Sequence, residues 1–75
     1  MTPDDEKWTQ KVSDRVPGAV FLFPKDERNP APGCYCVVGP TSEHSVSKQS
    51  IGHAAKLYLA KFFYDPEAKA SLAGK

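Results

Sequence analysis

The sequence predicts a small two-layer α+β domain, an antiparallel sheet packed by a long C-terminal helix, in the order α-β-β-(short β)-α. Three observations predict it. An apolar arc at helical spacing runs through residues 51–63. Two short runs rich in Val, Phe, Tyr and Cys, residues 20–23 and 34–38, flank a connection dense in Pro and charge. The whole chain is 75 residues, which holds one domain.

The first element is a helix. Thr2 is a suitable N-cap and Pro3 suits the first helical position, where its missing N–H costs nothing. Asp4, Asp5 and Glu6 then face the positive end of the helix dipole. Trp8 and Val12 are four apart and share a face. Pro17-Gly18 ends the helix. A helix this short and polar persists only by packing, and Trp8 is its expected anchor.

Residues 18–25 read as the first strand, with Pro24 weakening its far end and marking an edge. Residues 26–33 form the connection. Residues 34–38 read as the second strand, with Cys34, Cys36 and Val38 on one face and Tyr35 and Val37 on the other. The two are expected to pair as an antiparallel hairpin. Gly39-Pro40 closes the second strand. Residues 41–47 are polar and Ser-rich, either a loop or a short third strand around His44, Ser45 and Val46.

The clearest element is a helix over residues 48–64, with Ser47 as its N-cap and Asp65-Pro66 as its stop. Ile51, Ala54, Ala55, Tyr58, Leu59, Phe62 and Phe63 fall on one arc, which is expected to lie on the sheet. Gly52 sits in the helix at a cost of about 1 kcal/mol relative to Ala, which suggests a close backbone approach. Residues 66–75 are either a further short helix or a frayed tail.

Composition narrows the function. Ten Lys and Arg against nine Asp and Glu leave a net charge of +1, so total charge does not point to nucleic acid. Two cysteines, Cys34 and Cys36, make no disulfide framework. Both read as reduced thiols in a cytoplasmic protein. No signal peptide is visible, and no run reaches the roughly 18 apolar residues of a membrane span. A chain that starts at Met1 without a linker reads as a free-standing domain over residues 1–75.

The run Ser47-Lys48-Gln49-Ser50-Ile51, followed by Ala54-Ala55, resembles the start of the last helix of double-stranded-RNA-binding domains. The order of elements is similar to that family's. The resemblance implies a lysine-bearing turn, here at Lys48, that meets RNA phosphates. Gln49 and Gly52 stand where the family places lysines, and the first helix is acidic.

Three functions are therefore set side by side. The leading expectation is a non-catalytic interaction module, an inhibitor or adaptor of the kind carried by phages and mobile elements, that binds a larger protein sterically. Its expected contact residues are Leu57, Tyr64, Lys56, Lys61 and His53, on the back of the long helix, since aromatic side chains are enriched in interface cores. The second is nucleic-acid binding through Lys48, Lys56 and Lys61. The third is a zinc module with Cys34, Cys36, His44 and His53 as ligands; it lacks the usual Cys-x-x-Cys knuckle. No nucleophile elbow, phosphate-cradling glycine loop or carboxylate pair points to an enzyme, and no cofactor is implied. Homodimerisation is a further expectation, through the strand at residues 20–23, whose edge or face the small core leaves uncovered.

Overall fold

The computed structural model describes residues 1–74. It is a mixed α+β structure of three helices and a three-stranded antiparallel sheet.

Helix α1 spans Pro3–Arg15 and starts as its sequence dictates. Thr2 and Asp5 form a reciprocal capping box, each side chain accepting from the other's backbone N–H. Strand β1 is Val20–Leu22, shorter than the run expected, because the chain turns at once: Asp26 N–H donates to the Phe23 carbonyl at 2.9 Å. Strands β2, Tyr35–Val38, and β3, His44–Ser47, follow. The polar segment that sequence left as loop or strand is a strand of four residues, paired with β2 along its length.

The sheet order is β1-β2-β3, so β1 and β3 are both terminal strands. Register places Phe21, Val37 and Ser45 on one face, and Leu22, Cys36 and Val46 on the other. The first face is the core side. Val37, with Phe21 and Tyr35 at its margin, meets Trp8, Val12, Ile51, Ala54, Ala55, Tyr58 and Leu59. Ser45 and Ser47 are buried on this side too. Their small side chains let the next helix lie close to the strand. On the other face, residues 24–34 bend back over the sheet and set Arg28 and Pro30 beside Val20, Leu22 and Val38. Asn29, 5% exposed, pins this connection. Its amide donates to the carbonyls of Phe23 and Cys34 and accepts from Ala31 N–H.

Helix α2 is Ile51–Phe62, shorter at both ends than the helix expected over 48–64. Ser50, not Ser47, is the N-cap, accepting from His53 N–H at 3.0 Å. Ser47 is spent in β3, where its hydroxyl accepts from Gln49 N–H and bonds His53 Nδ1 at 2.7 Å. At the other end Phe63 is the C-cap and Tyr64 takes a positive φ of 51°, which turns the chain out of the helix. Phe63, expected on the buried arc, is therefore 40% exposed. The packing of the sheet is done by α2, which is not the C-terminal helix.

Asp65-Pro66 follows the end of α2 and starts a third helix, the first of the two alternatives expected for residues 66–75. Asp65 caps α3, Pro66–Ala73, accepting from Glu67 N–H and Ala68 N–H. Asp65 is 2% exposed. Its Oδ2 accepts no well-aligned hydrogen bond; the charge is met by Lys11 Nζ at 2.7 Å and Arg15 Nη1 at 3.3 Å. Glu67 pairs with Lys7 and Lys11. The helix that closes the fold is thus tied to α1 by charge, with Ala68 as its one fully buried apolar contact.

Candidate functional site

Beside the free edge of β3 lies an open groove of about 490 Å³, lined by His44, Ser45 and Val46 of β3 and Leu57, Ala60 and Lys61 of α2. Successive strand side chains alternate faces, so a hollow touched by three consecutive strand residues follows the strand's edge. Leu57, Ala60 and Lys61 are spaced i, i+3, i+4 and form one stripe of α2. The floor is apolar: Val46 is 41% exposed, and Leu57 and Ala60 are half-buried. Lys61 is exposed and extends its ammonium over the Phe62 ring, 5.2 Å from the centroid. His44 is exposed, with Nδ1 3.2 Å from the Ser42 carbonyl. Among the described residues of this lining, Lys61 is the one lysine or arginine, and none is an aspartate or glutamate.

Proteins blunt edge strands with proline, bulges, charged side chains or short length; β3 is short, at four residues, and its sequence His-Ser-Val-Ser carries no proline, lysine or carboxylate. Antiparallel pairing uses the N–H and C=O of alternate residues, so half of the main-chain groups of β3 face away from β2. Among the described residues, no main-chain bond outside the sheet involves positions 44–47.

The contact residues expected from sequence divide between separate surfaces. Leu57 and Lys61 line the β3 groove. His53 and Lys56 line a second, smaller hollow with Asp4, Gln49, Ser50, Ser71 and Leu72. Lys56 is half-buried and holds its ammonium 5.4 Å from the Trp8 ring. Tyr64 lies beyond the end of α2, 72% exposed, with Lys69 Nζ 5.0 Å from its ring. It does not extend the Leu57 stripe as a continuous helix would. The expected basic face is divided in the same way. Lys48 precedes α2, Lys56 turns to α1, and Lys61 turns to β3.

The N-terminus of α2, where the RNA-domain resemblance places phosphate contacts, is occupied from within. Asp5 Oδ1 accepts from Gly52 N–H at 2.9 Å. That carboxylate supplies the anion a helix start attracts. Bonds from Gly52 and Thr2 outweigh desolvation, which opposes them, and hold its pKa below the usual value. A side chain at position 52 has no room, since a Cβ there would stand 2.7 Å from Asp5 Cα. The close approach of α1 therefore requires glycine at this position.

The zinc arrangement is not assembled. Among the described residues no group of three or more His, Cys, Asp or Glu is placed to hold a metal ion. Cys36 and His44 belong to the outer sheet face, whereas His53 bonds Ser47 on the core side. Burial pushes the Cys36 thiol up, the ordinary behaviour of an enclosed thiol.

Sequence reasoning missed Glu43. The fully buried Tyr58 donates its hydroxyl to Glu43 Oε2 at 2.7 Å, and Thr41 Oγ1 donates to Oε1. The Thr41 and Tyr58 bonds lower the Glu43 pKa to about 2, and burial with the Glu43 bond raises Tyr58 to about 12. This pair latches the β2–β3 turn to α2. Gly39 is required beside it, since a Cβ there would overlap both side chains. Nothing in the spacing of positions 43 and 58 signals the pair. No helix among the described residues is long and apolar enough to cross a membrane. No family model, curated protein or solved structure matches the chain.

Proposed function

We propose that the chain is a non-catalytic protein-interaction module that engages a larger protein at the groove between β3 and α2. The observation that carries this reading is the free edge of β3 lying alongside the apolar stripe of Leu57 and Ala60. Exposed backbone donors and acceptors next to an apolar floor are the two ingredients of peptide recognition at a sheet edge. The action is steric: occupying the groove holds the partner or covers part of it. Affinity capture from a lysate, comparing the unaltered chain with the Leu57→Glu/Lys61→Glu variant, tests it. A protein retained by the first and lost from the folded variant, but still retained by Tyr64→Ala, supports the groove. Identical captured sets for all three sink it.

A second reading, binding of duplex RNA, is favoured by one observation. The order helix, three antiparallel strands, helix, with exposed Lys48 just ahead of α2, accords with the resemblance at residues 47–55. Asp5 at the start of α2 weighs against it. The reading requires affinity for a generic RNA duplex that falls steeply with salt; no binding at low salt removes it.

A further inference from the structure

We infer that the occupant of the groove is an extended acidic peptide segment that joins the sheet as a fourth strand on β3. This inference rests on the groove reading above and deepens it by naming the form and chemistry of the partner. Three observations lead to it.

The first is geometric. β3 is a terminal strand with half of its main-chain groups turned outward. Such a row is satisfied by an added strand and not by a helix, whose backbone groups are already paired internally. An extended ligand is therefore the form that uses this edge.

The second is charge. Among the described residues, Lys61 is the one lysine or arginine lining the groove, and no carboxylate lines it. Glu43, the nearest acid in sequence, is engaged by Thr41 and Tyr58. Within this lining a carboxylate on the incoming segment meets a cation, and a basic side chain meets a like charge.

The third is spacing. Leu57 and Lys61 are four residues apart on α2, about one turn or roughly 5.4–6 Å along the axis. Alternate residues of an extended chain point to the same side and are separated by about 6.6–6.8 Å. For a strand laid along α2, one apolar side chain over Leu57 and Ala60 and one acid two positions away near Lys61 fit the same face. The signature is therefore apolar-x-acid, in either chain direction. The other terminal strand, β1, has three residues and ends at the Phe23–Asp26 turn, so it presents a much shorter row.

The test uses a phage-displayed library of random dodecapeptides selected against the full chain. Synthetic copies of the enriched peptides are then titrated and followed by amide hydrogen exchange. The expected result is enrichment of the apolar-x-acid pattern. Affinity is expected to fall at least tenfold in Leu57→Glu and in Lys61→Glu, with slower exchange of amides within positions 44–47 on binding. Peptides that bind the variants equally well, or that are enriched without an acid, overturn the inference. Peptides that depend on Leu57 but leave the β3 amides unprotected overturn strand addition while the groove reading stands. An empty selection, alongside a Leu57-dependent partner in the capture experiment, has the same meaning. A chain that sediments as a dimer, and as a monomer after Leu57→Glu, makes a second copy the occupant and also overturns it.

Discussion

Replacing Gly52 by alanine sets two opposing effects of known size against each other. In an isolated helix the change stabilises by about 1 kcal/mol, because alanine loses less backbone entropy than glycine. In this protein the new methyl group would stand 2.7 Å from Asp5 Cα, a main-chain atom that no rotamer change can move aside. Overpacking of this kind costs about 1–3 kcal/mol, and the upper half of that range applies where backbone must shift. Moving α1 away also strains the Gly52 N–H bond to Asp5 and loosens Trp8 and Val12, which α1 buries in the core. The balance is a net loss of about 1–2 kcal/mol. In a domain of this size that lowers Tm by about 5–15 °C. Thermal unfolding followed by far-UV circular dichroism and by Trp8 fluorescence reads it. Ala60→Gly in the same helix calibrates the propensity effect with an expected loss of about 1 kcal/mol. A Gly52→Ala protein that melts higher than the unaltered chain refutes the close crossing of α1 and α2. It would also remove the reason for glycine at this position.

Three other outcomes are expected. Asp65→Ala removes the cap of α3 and leaves the half-buried Lys11 without its closest partner, costing about 1–3 kcal/mol. Glu67→Ala, at a surface pair, changes stability far less when both variants are unfolded in urea. Acid weakens the fold in one direction. Asp5, Asp26, Glu43, Asp65 and Glu67 all have pKa values below their usual ones, so their contributions are complete above about pH 4.5 and fade below it. The Glu43 contribution is lost progressively as pH falls from about 4.5 to about 2, and a Glu43→Gln protein lacks that loss in an acid titration. At the alkaline end, Tyr58 favours its neutral form in the fold, so stability falls as pH rises from about 10 towards 12. Ultraviolet titration of tyrosinate shows one step displaced to about 12 in the native protein, and Tyr58→Phe abolishes it.

Elements whose signals are local were legible in the sequence. Thr2, Pro3 and the three acids behind them specify the start of α1 within one turn, and the structure has the cap there. The arc from Ile51 to Leu59 reports burial directly, because a helix repeats its core face every few residues. Features that depend on what lies across the fold were not. Ser47 and Ser50 are both good caps by composition; only the pairing of Ser47 with Tyr35 in the sheet leaves the role to Ser50. β3 lacks apolar alternation because its inward residues are Ser45 and Ser47, small enough to pass beneath α2. Tyr64, with its positive φ, turns the chain out of α2, and Asp65-Pro66 begins the next helix; that start was legible in the sequence, whereas the hold of Lys11 and Arg15 on Asp65 shows only in the fold. For the candidate groove, Leu57 and Lys61 stood out as residues off the apolar arc, whereas Val46 had no signal, since the strand and helix that frame it are joined only by the fold.

The clamp between α1 and α3 carries a consequence for the order in which the chain assembles. Its hydrogen-bonded pairs join residues 60 and 56 positions apart, nearly the length of the protein. Closing so large a loop costs more chain entropy than the hairpin and helix contacts do, and the return is one buried alanine and a few ions. The β2–β3 hairpin and its union with α2 span far fewer residues and bury far more apolar surface. Docking of α3 therefore belongs to the native side of the folding barrier. Weakening it with Asp65→Ala accelerates unfolding in stopped-flow measurements and leaves the folding rate as it was. The last helix acts as a latch on the lifetime of the folded state, applied after the rest of the molecule has already formed.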